Sequence, residues 1–158
     1  MKFFEDIEVG EKQTLGRHTF TAEEIKAFGR RFDPQPFHVD EAAGASSHFG
    51  ALVASGWHTA AVCIRFIVQH RMREEEAMRG RGEPVGRTGP SPGFRKMKWP
   101  RPVHAGDTIS YASEIVDKRT VQSVAGKGLV FARNTGINQD GALVFSFVSS
   151  VFVDCRSV

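Results

Sequence analysis

The segment SGWHTAAVCIRFIVQHRMR, from Ser55 to Arg73, carries the strongest helix signal in the chain. Apolar residues recur in it at the i, i+3, i+4, i+7 spacing that lines one face of a helix. These residues are Trp57, Ala60, Ala61, Ile64, Ile67 and Val68. The two alanines would let another element pack very close, and a sheet wrapped around the helix is one candidate. The segment therefore predicts a long apolar helix against which a sheet can pack.

Upstream of this helix, the sequence predicts a strand and two shorter helical segments. Lys12 to Phe20 alternates polar and apolar residues, as a strand does. Thr21 followed by Glu24 is a capping-box pattern, which predicts a helix from about Ala22. Its apolar face is formed by Ile25, Phe28 and Phe32. A short helical turn is expected between Val39 and Ala45.

Downstream of the helix, the residues from Glu74 to Gly93 are charged and then rich in glycine and proline, which predicts a long exposed loop. Four segments with strand patterning follow: FRKMKW, TISYASEIVDK, GLVFARNTGINQ and ALVFSFVSSVFVD. Asp140-Gly141 predicts the hairpin turn into the last of them. The segments are longer than usual strands, which favours a curved sheet with bulges. The predicted architecture is α+β, with an antiparallel sheet packed on one long helix.

The overall composition fits one globular domain, predicted to span residues 1–158. The net charge of +3 comes from basic residues interspersed with acidic ones, so no nucleic acid partner is expected. The most apolar region, Ala51 to Val68, is interrupted by His58 and Arg65 and is not expected to cross a membrane. The N-terminal segment MKFFEDIEVG lacks the apolar stretch of a signal peptide, and the two cysteines do not form a disulfide framework. These two features predict a cytoplasmic location.

The candidate site begins with FDPQPFHVD, from Phe32 to Asp40. Pro34 and Pro36 predict a rigid, non-helical segment, and Asp33 and His38 lie on it five residues apart. Taken alone, the stretch is either a turn that contains two ionisable residues or a catalytic pair that holds a water molecule. The histidines and acids nearby lack the spacing of a preformed zinc site, so no metal is expected.

A catalytic pair also needs a donor for the negative charge that develops on the substrate. Gly56, at the start of the long helix, offers its amide hydrogen and the positive end of the helix dipole. The pair and this donor would then face one cleft.

The sequence resembles the MaoC-like dehydratases, which are relatives of the (R)-specific enoyl-CoA hydratases. The resemblance lies in F-x-R-x-F-D-P-Q-P-F-H-V-D, in FGALVASGWHTAA and in WPRPVHAGDTI, in that order along nearly the whole chain. The D-x-N-P-x-H signature of the family matches at Asp33, Pro36 and His38. The resemblance implies a hotdog fold, a homodimer or higher homo-oligomer, and no cofactor beyond the coenzyme A of the substrate.

The same resemblance implies the reversible addition of water to a 2-enoyl-CoA thioester. Asp33 and His38 would activate the water, and the amide of Gly56 would bind the thioester carbonyl. The usual asparagine of the family is Gln35 here, one methylene longer, which bears on substrate preference. His58 and Thr59 are either walls of the acyl pocket or ordinary residues of a first helical turn, and Trp57 is expected in the core. The substrate-binding set implied in this way is Gln35, Ser55, Trp57, His58, Arg95, Lys96, Lys98 and Arg101.

Several alternatives stay open at this point. The basic cluster at Arg95, Lys96, Lys98 and Arg101 is either a solvated strand face or a binding site for the phosphates of coenzyme A. The hotdog fold also serves acyl-CoA thioesterases, in which an acidic residue near a helix N-terminus activates water. A non-catalytic subunit that binds acyl-CoA is a third possibility.

Overall fold

The computed structural model describes residues 1–156, so the last two residues of the predicted domain lie outside the described residues. Its elements begin with a short 3₁₀ turn, Phe4–Asp6, and continue in the following order. They are β1 (Lys12–Thr19), α1 (Ala22–Phe32), α2 (Pro36–Val39), α3 (Glu41–Ala45), α4 (Gly56–Gly80), β2 (Gly93–Lys98), β3 (Thr108–Thr120), β4 (Lys127–Ile137) and β5 (Leu143–Asp154). The predicted strands and the starts of the predicted helices are confirmed to within one or two residues.

The five strands form one antiparallel sheet in the order β1-β3-β4-β5-β2. Each pairing contains a register shift, and such bulges bend and twist the strands. The helix α4 lies against this sheet, and Gly16 of β1 is so close to Phe66 of α4 that a Cβ atom would come within 2.6 Å of the ring. A long helix held in a curved antiparallel sheet confirms the predicted α+β hotdog fold.

The main core lies between α4 and the sheet. Buried residues of α4 such as Val62 and Cys63 pack with Leu15 of β1, Tyr111 of β3 and Phe145 of β5. Burying this apolar surface is the main driving force that holds the helix in place. A smaller cluster, in which Phe4 and Ile7 pack on the sheet, fastens the N-terminal segment.

The predicted end of the long helix was wrong. The segment from Glu74 to Gly80, expected in a loop, continues α4 by seven residues beyond Arg73. Its Glu, Ala, Met and Arg residues are strong helix formers, and Arg71 and Glu75 approach each other at the i, i+4 spacing. This last part of the helix has no continuous apolar stripe, so the hydrophobic periodicity did not reveal it.

The predicted buried face of α4 was also wrong in part. Ala60 is buried, but Trp57 and Ile64 are 55% and 47% exposed, and the expected core position of Trp57 is therefore incorrect. Two polar residues of α4, His58 and Thr59, are buried instead. Similarly, Phe32 at the end of α1 is exposed rather than part of the apolar face of that helix. The periodicity of a sequence indicates which residues of a helix are apolar, but the packing of the folded chain decides which of them are buried.

None of the helices within residues 1–156 combines the length and the apolar character that are needed to span a bilayer.

Candidate active site

The segment FDPQPFHVD joins two helices. The helix α1 starts with the predicted capping box, in which Glu24 N donates to Thr21 Oγ1 over 3.2 Å, and it ends at Asp33. The expectation that the prolines exclude a helix was wrong, because Pro36 is the first residue of the single helical turn α2. Proline fits that position, since the amide of a first helical residue has no partner within the helix. The turn α2 brings His38 back toward Asp33.

Asp33 and His38 face each other at the end of these helices. Asp33 Oδ2 lies 3.4 Å from His38 Nε2, and His38 Nδ1 lies 2.7 Å from the carbonyl oxygen of Val53. A carbonyl oxygen can only accept, so Nδ1 carries the proton and donates to it, which leaves Nε2 of the neutral ring as an acceptor. His38 is buried, and its ring is thus fixed in orientation and tautomer. Two acceptor atoms are presented side by side at the distance that one water molecule can bridge.

Two neighbours hold the carboxylate of Asp33. Ser55 Oγ donates to Asp33 Oδ2 over 2.7 Å, and Gln35 Nε2 donates to Asp33 Oδ1 over 2.9 Å. Burial by itself raises the pKa of Asp33, but the hydrogen bonds that its carboxylate accepts from Ser55 and Gln35 lower it, so the pKa lies below its usual value. Asp33 is therefore ionised near neutral pH.

Ser55 also caps the long helix. Its Oγ accepts from Trp57 N over 3.2 Å while it donates to Asp33, so one hydroxyl joins the start of α4 to the carboxylate. Gly56, the next residue, is the first of α4, and no described residue accepts a hydrogen bond from its amide. That amide and the helix dipole give this side of the site a positive potential.

Gly56 is a glycine because of a close contact that the sequence did not reveal. Trp99 Nε1 donates to the carbonyl oxygen of Gly56 over 2.9 Å, and the indole covers the glycine. A Cβ atom at this position would lie 2.7 Å from Trp99 Cε2, within the indole ring system.

Asp33, His38 and Gly56 share one cleft of about 470 Å³, a size typical of small-molecule sites. Gln35, Trp57 and Thr59 also line it. Aromatic and proline side chains form much of the remaining wall, and they are Phe37, Phe49, Trp99, Pro100 and Pro102. These wall residues were missed by the sequence reasoning, although Phe37 lies inside FDPQPFHVD and Trp99 opens the WPRPV segment.

The structure separates the predicted basic cluster. Arg101 lines the cleft. The Arg95 guanidinium lies 5.0 Å from the centre of the Phe131 ring, and Lys96 and Lys98 are exposed on β2. The four residues thus follow one another along the chain without forming one patch at the cleft.

His58 lies beside the cleft rather than in its wall. Its ring stacks on Phe28 of α1 with centroids 4.5 Å apart and meets the Phe20 ring edge-on at 4.9 Å. Burial lowers its pKa to about 4, so the imidazole is neutral at ordinary pH. His58 therefore packs α1, which ends at Asp33, against α4, which begins at Gly56.

Within residues 1–156, no three His, Cys, Asp or Glu side chains converge closely enough to bind a metal ion. What the cleft does combine is a fixed acid–base pair and an unpaired amide at a helix N-terminus. That combination is suited to general acid–base chemistry on a substrate in which an oxygen gains negative charge.

Comparison with known proteins identifies the family. The model of the MaoC like domain family matches residues 6–132, and the chain belongs to this family. It is 32% identical to a MaoC-like dehydratase from Rhodospirillum rubrum, and the two structures superpose with a TM-score of 0.81 over all of both chains.

Two further proteins that are similar to this chain are hydratases. The unliganded (R)-hydratase of Pseudomonas aeruginosa shares the fold, with a TM-score of 0.65 and 18% identity over 98% of this chain and 86% of that one. The mesaconyl-CoA hydratase of Cereibacter sphaeroides is 34% identical over 64 residues, which are 40% of this chain and 18% of that protein. Hydratases thus occur in this family, which supports a hydro-lyase at the level of the family.

Proposed function

We propose that this chain catalyses the reversible addition of water to a 2-enoyl-CoA thioester. The observation that carries the proposal is the pair of acceptor atoms, Asp33 Oδ2 and His38 Nε2, 3.4 Å apart in a cleft that also holds the Gly56 amide. Acceptors of this kind bind a water molecule through its two hydrogens and leave its lone pairs directed away from them. The water is then oriented as a nucleophile.

In the hydration direction, the oxygen of this water attacks C3 of the enoyl group. One of its O–H bonds breaks, the proton passes to His38 Nε2, and the ionised Asp33 stabilises the resulting imidazolium. The electrons of the double bond move toward the thioester oxygen, whose negative charge the Gly56 amide and the dipole of α4 stabilise. The imidazolium then returns a proton to C2, which gives the 3-hydroxyacyl thioester and restores the neutral ring.

Other residues of the cleft are assigned to the acyl group and to coenzyme A. Phe37, Phe49 and Trp99 offer an apolar surface for an acyl group. Arg101 also lines the cleft, and its guanidinium is assigned to a phosphate of coenzyme A. A guanidinium carries a positive charge and can donate two parallel hydrogen bonds to one phosphate. The mesaconyl-CoA hydratase among the relatives acts on a coenzyme A thioester, in agreement with this assignment.

The chain is also proposed to form a homodimer. Strand β2 is an edge of the sheet, and Phe94 on it is 58% exposed, while Trp57 and Trp99 nearby are 55% and 40% exposed. An open edge beside exposed aromatic side chains is the kind of surface that a second subunit covers.

The test of the reaction is the loss of absorbance of the conjugated thioester when crotonyl-CoA or a longer enoyl-CoA is mixed with the protein. Asp33→Asn and His38→Ala are each expected to lower the rate at least about 100-fold, because each removes one of the two groups that hold and deprotonate the water. Asp117→Asn, at an exposed ion pair with Arg119, is the matched control and should keep full activity. Circular dichroism checks that all variants are folded.

The alternatives give different results in the same experiments. Release of thiol from a saturated acyl-CoA without hydration of an enoyl-CoA would indicate a thioesterase. Calorimetric binding of acyl-CoA without any turnover would indicate a binding subunit. Full hydration activity in either Asp33→Asn or His38→Ala would contradict the assigned pair.

A further inference from the structure

The role proposed for the Gly56 amide requires that a glycine at a helix start keeps one position. Glycine has the greatest backbone freedom of all residues, and the amides of the first helical turn have no partner within the helix. Gly56 also leaves no room for a side chain that could restrain it, since a Cβ atom would lie 2.7 Å from Trp99 Cε2. The restraint on this glycine must therefore come from its neighbours.

The carbonyl oxygen of Gly56 accepts two side-chain hydrogen bonds. Trp99 Nε1 donates to it over 2.9 Å, and Thr59 Oγ1 donates to it over 2.7 Å. Thr59 belongs to the same helix and moves with Gly56, whereas Trp99 lies 43 positions away along the chain. Ser55 ties the residue before the glycine to Asp33. Trp99 ties the glycine itself to the segment that follows β2.

The segment that carries Trp99 is stiff and is anchored near the start of α4. Trp99 directly follows β2, and Pro100 and Pro102 restrict the backbone after it. The carbonyl oxygen of Val103 then accepts a hydrogen bond from the amide of Ala54 over 2.8 Å. This bond joins the segment to the residues that lead into α4, so both partners of the tryptophan contact are held in one frame.

The indole ring of Trp99 is packed on other aromatic rings. Its centroid lies 6.0 Å from that of Phe145, which is completely buried, and it meets the Trp57 ring edge-on at 5.5 Å. Trp99 also lines the cleft of Asp33 and His38. Because these contacts fix the ring, its N–H is a donor with one position.

We propose that Trp99 is a positioning residue that acts through Gly56, an assignment that rests on the proposed hydration of an enoyl thioester. Its N–H holds the carbonyl group of the glycine, and its ring blocks a shift of the glycine toward the indole. The Gly56 amide then stays aimed at the place where the thioester oxygen gains negative charge. A donor stabilises such charge best when it is fixed before the reaction starts, so Trp99 contributes to the transition state more than to substrate binding.

The experiment removes only the N–H group of Trp99. Site-specific incorporation of benzothienylalanine at this position replaces the nitrogen by sulfur and keeps the shape of the ring system. With crotonyl-CoA we expect kcat to fall about tenfold while KM changes less than about twofold, because the lost hydrogen bond supports the transition state. The ordinary variant Trp99→Phe, which keeps an aromatic ring without the donor, should change kcat in the same direction. An unchanged kcat, or a rise of KM alone, would overturn the proposal.

A spectroscopic measurement tests the same contact without turnover. Butyryl-CoA labelled with ¹³C at the thioester carbon cannot be hydrated, and its carbonyl stretch moves to lower frequency when the oxygen accepts a hydrogen bond. Infrared difference spectra of the native chain should show this shift, and benzothienylalanine at position 99 should reduce it by about half. Equal shifts in the two proteins would contradict the role of Trp99.

The control places benzothienylalanine at Val9, an exposed position outside the cleft, and should change neither kcat nor the spectrum. Circular dichroism and light scattering check the fold and the mass of each protein. A native chain that shifts the butyryl-CoA carbonyl but does not hydrate crotonyl-CoA would refute the proposed function, while the comparison of spectra would still test Trp99. A native chain that does neither would overturn both.

Discussion

At the scale of single residues, the candidate site depends on atoms that are held by more than one contact. His38 donates from Nδ1 to Val53, and Asp33 receives hydrogen bonds from Ser55 and Gln35. These contacts keep the imidazole in one tautomer and the carboxylate ionised, which are the protonation states that the proposed activation of water requires. Gln35, which replaces the asparagine usual in the family, still reaches Asp33 Oδ1, so the longer side chain serves as a support of the carboxylate here.

Gly56→Ala tests the glycine at the start of α4. The new Cβ atom would lie 2.7 Å from Trp99 Cε2 and would have to displace the indole or the helix start. We expect hydration activity to fall roughly 100-fold, because a shift of about 1 Å at the amide is enough for such a loss. Initial rates with crotonyl-CoA measure the effect.

Gly80→Ala, at the other end of the same helix, is the matched control. A Cβ atom there meets nothing within 4 Å, so activity should be unchanged. The double variant Gly56→Ala/Trp99→Leu should recover part of the activity if the clash is the cause. Full activity of Gly56→Ala alone would contradict the assigned contact.

At the scale of elements, α1 and α4 meet through the ring of His58. The imidazole stacks on Phe28 and is held neutral by burial, with its pKa lowered to about 4. In the unfolded chain a histidine titrates near 6.5, so between these two pH values the unfolded state binds more protons than the folded state. The contribution of the neutral His58 to the free energy of unfolding is therefore fully present above about pH 6.5, and it is lost as the pH falls toward 4.

The prediction is that the free energy of unfolding decreases by up to about 3 kcal/mol between pH 6.5 and pH 4 through His58. Urea denaturation at a series of pH values measures this dependence. His58→Phe should flatten it, because phenylalanine can stack on Phe28 without taking up a proton. His48→Phe, at an exposed histidine, is the control and should leave the slope as it is. An unchanged slope in His58→Phe would show that other groups cause it.

At the scale of the whole molecule, the sheet ends at β2 with an open edge next to exposed aromatic residues. We expect a homodimer, with twice the mass of the 17.5 kDa chain in light scattering coupled to gel filtration. Phe94→Asp should shift the population toward the monomer at micromolar concentrations, since it places a charge where the edge would be covered. Thr14→Asp, at the opposite edge strand β1, should not do so. A monomeric native chain, or a dimer unaffected by Phe94→Asp, would contradict this surface.

The sequence by itself determined the kinds of elements and their order. Capping by Thr21 and Glu24, the apolar spacing after Ser55, and the Asp140-Gly141 turn all act between residues a few positions apart, so they can be read from the chain directly. The strand segments followed from local patterns of this kind, and the hotdog fold was implied by the family resemblance. The close succession of Asp33 and His38 likewise marked them as a candidate pair.

The tertiary structure alone decided which of these residues meet others far along the chain. Ser55 reaches Asp33 across 22 positions, and Trp99 covers Gly56 across 43. The packing also buries His58 and Thr59 while it leaves Trp57 exposed. These contacts arise because packing α4 into the curved sheet fixes which side chains share a cleft, and no short-range pattern encodes that choice.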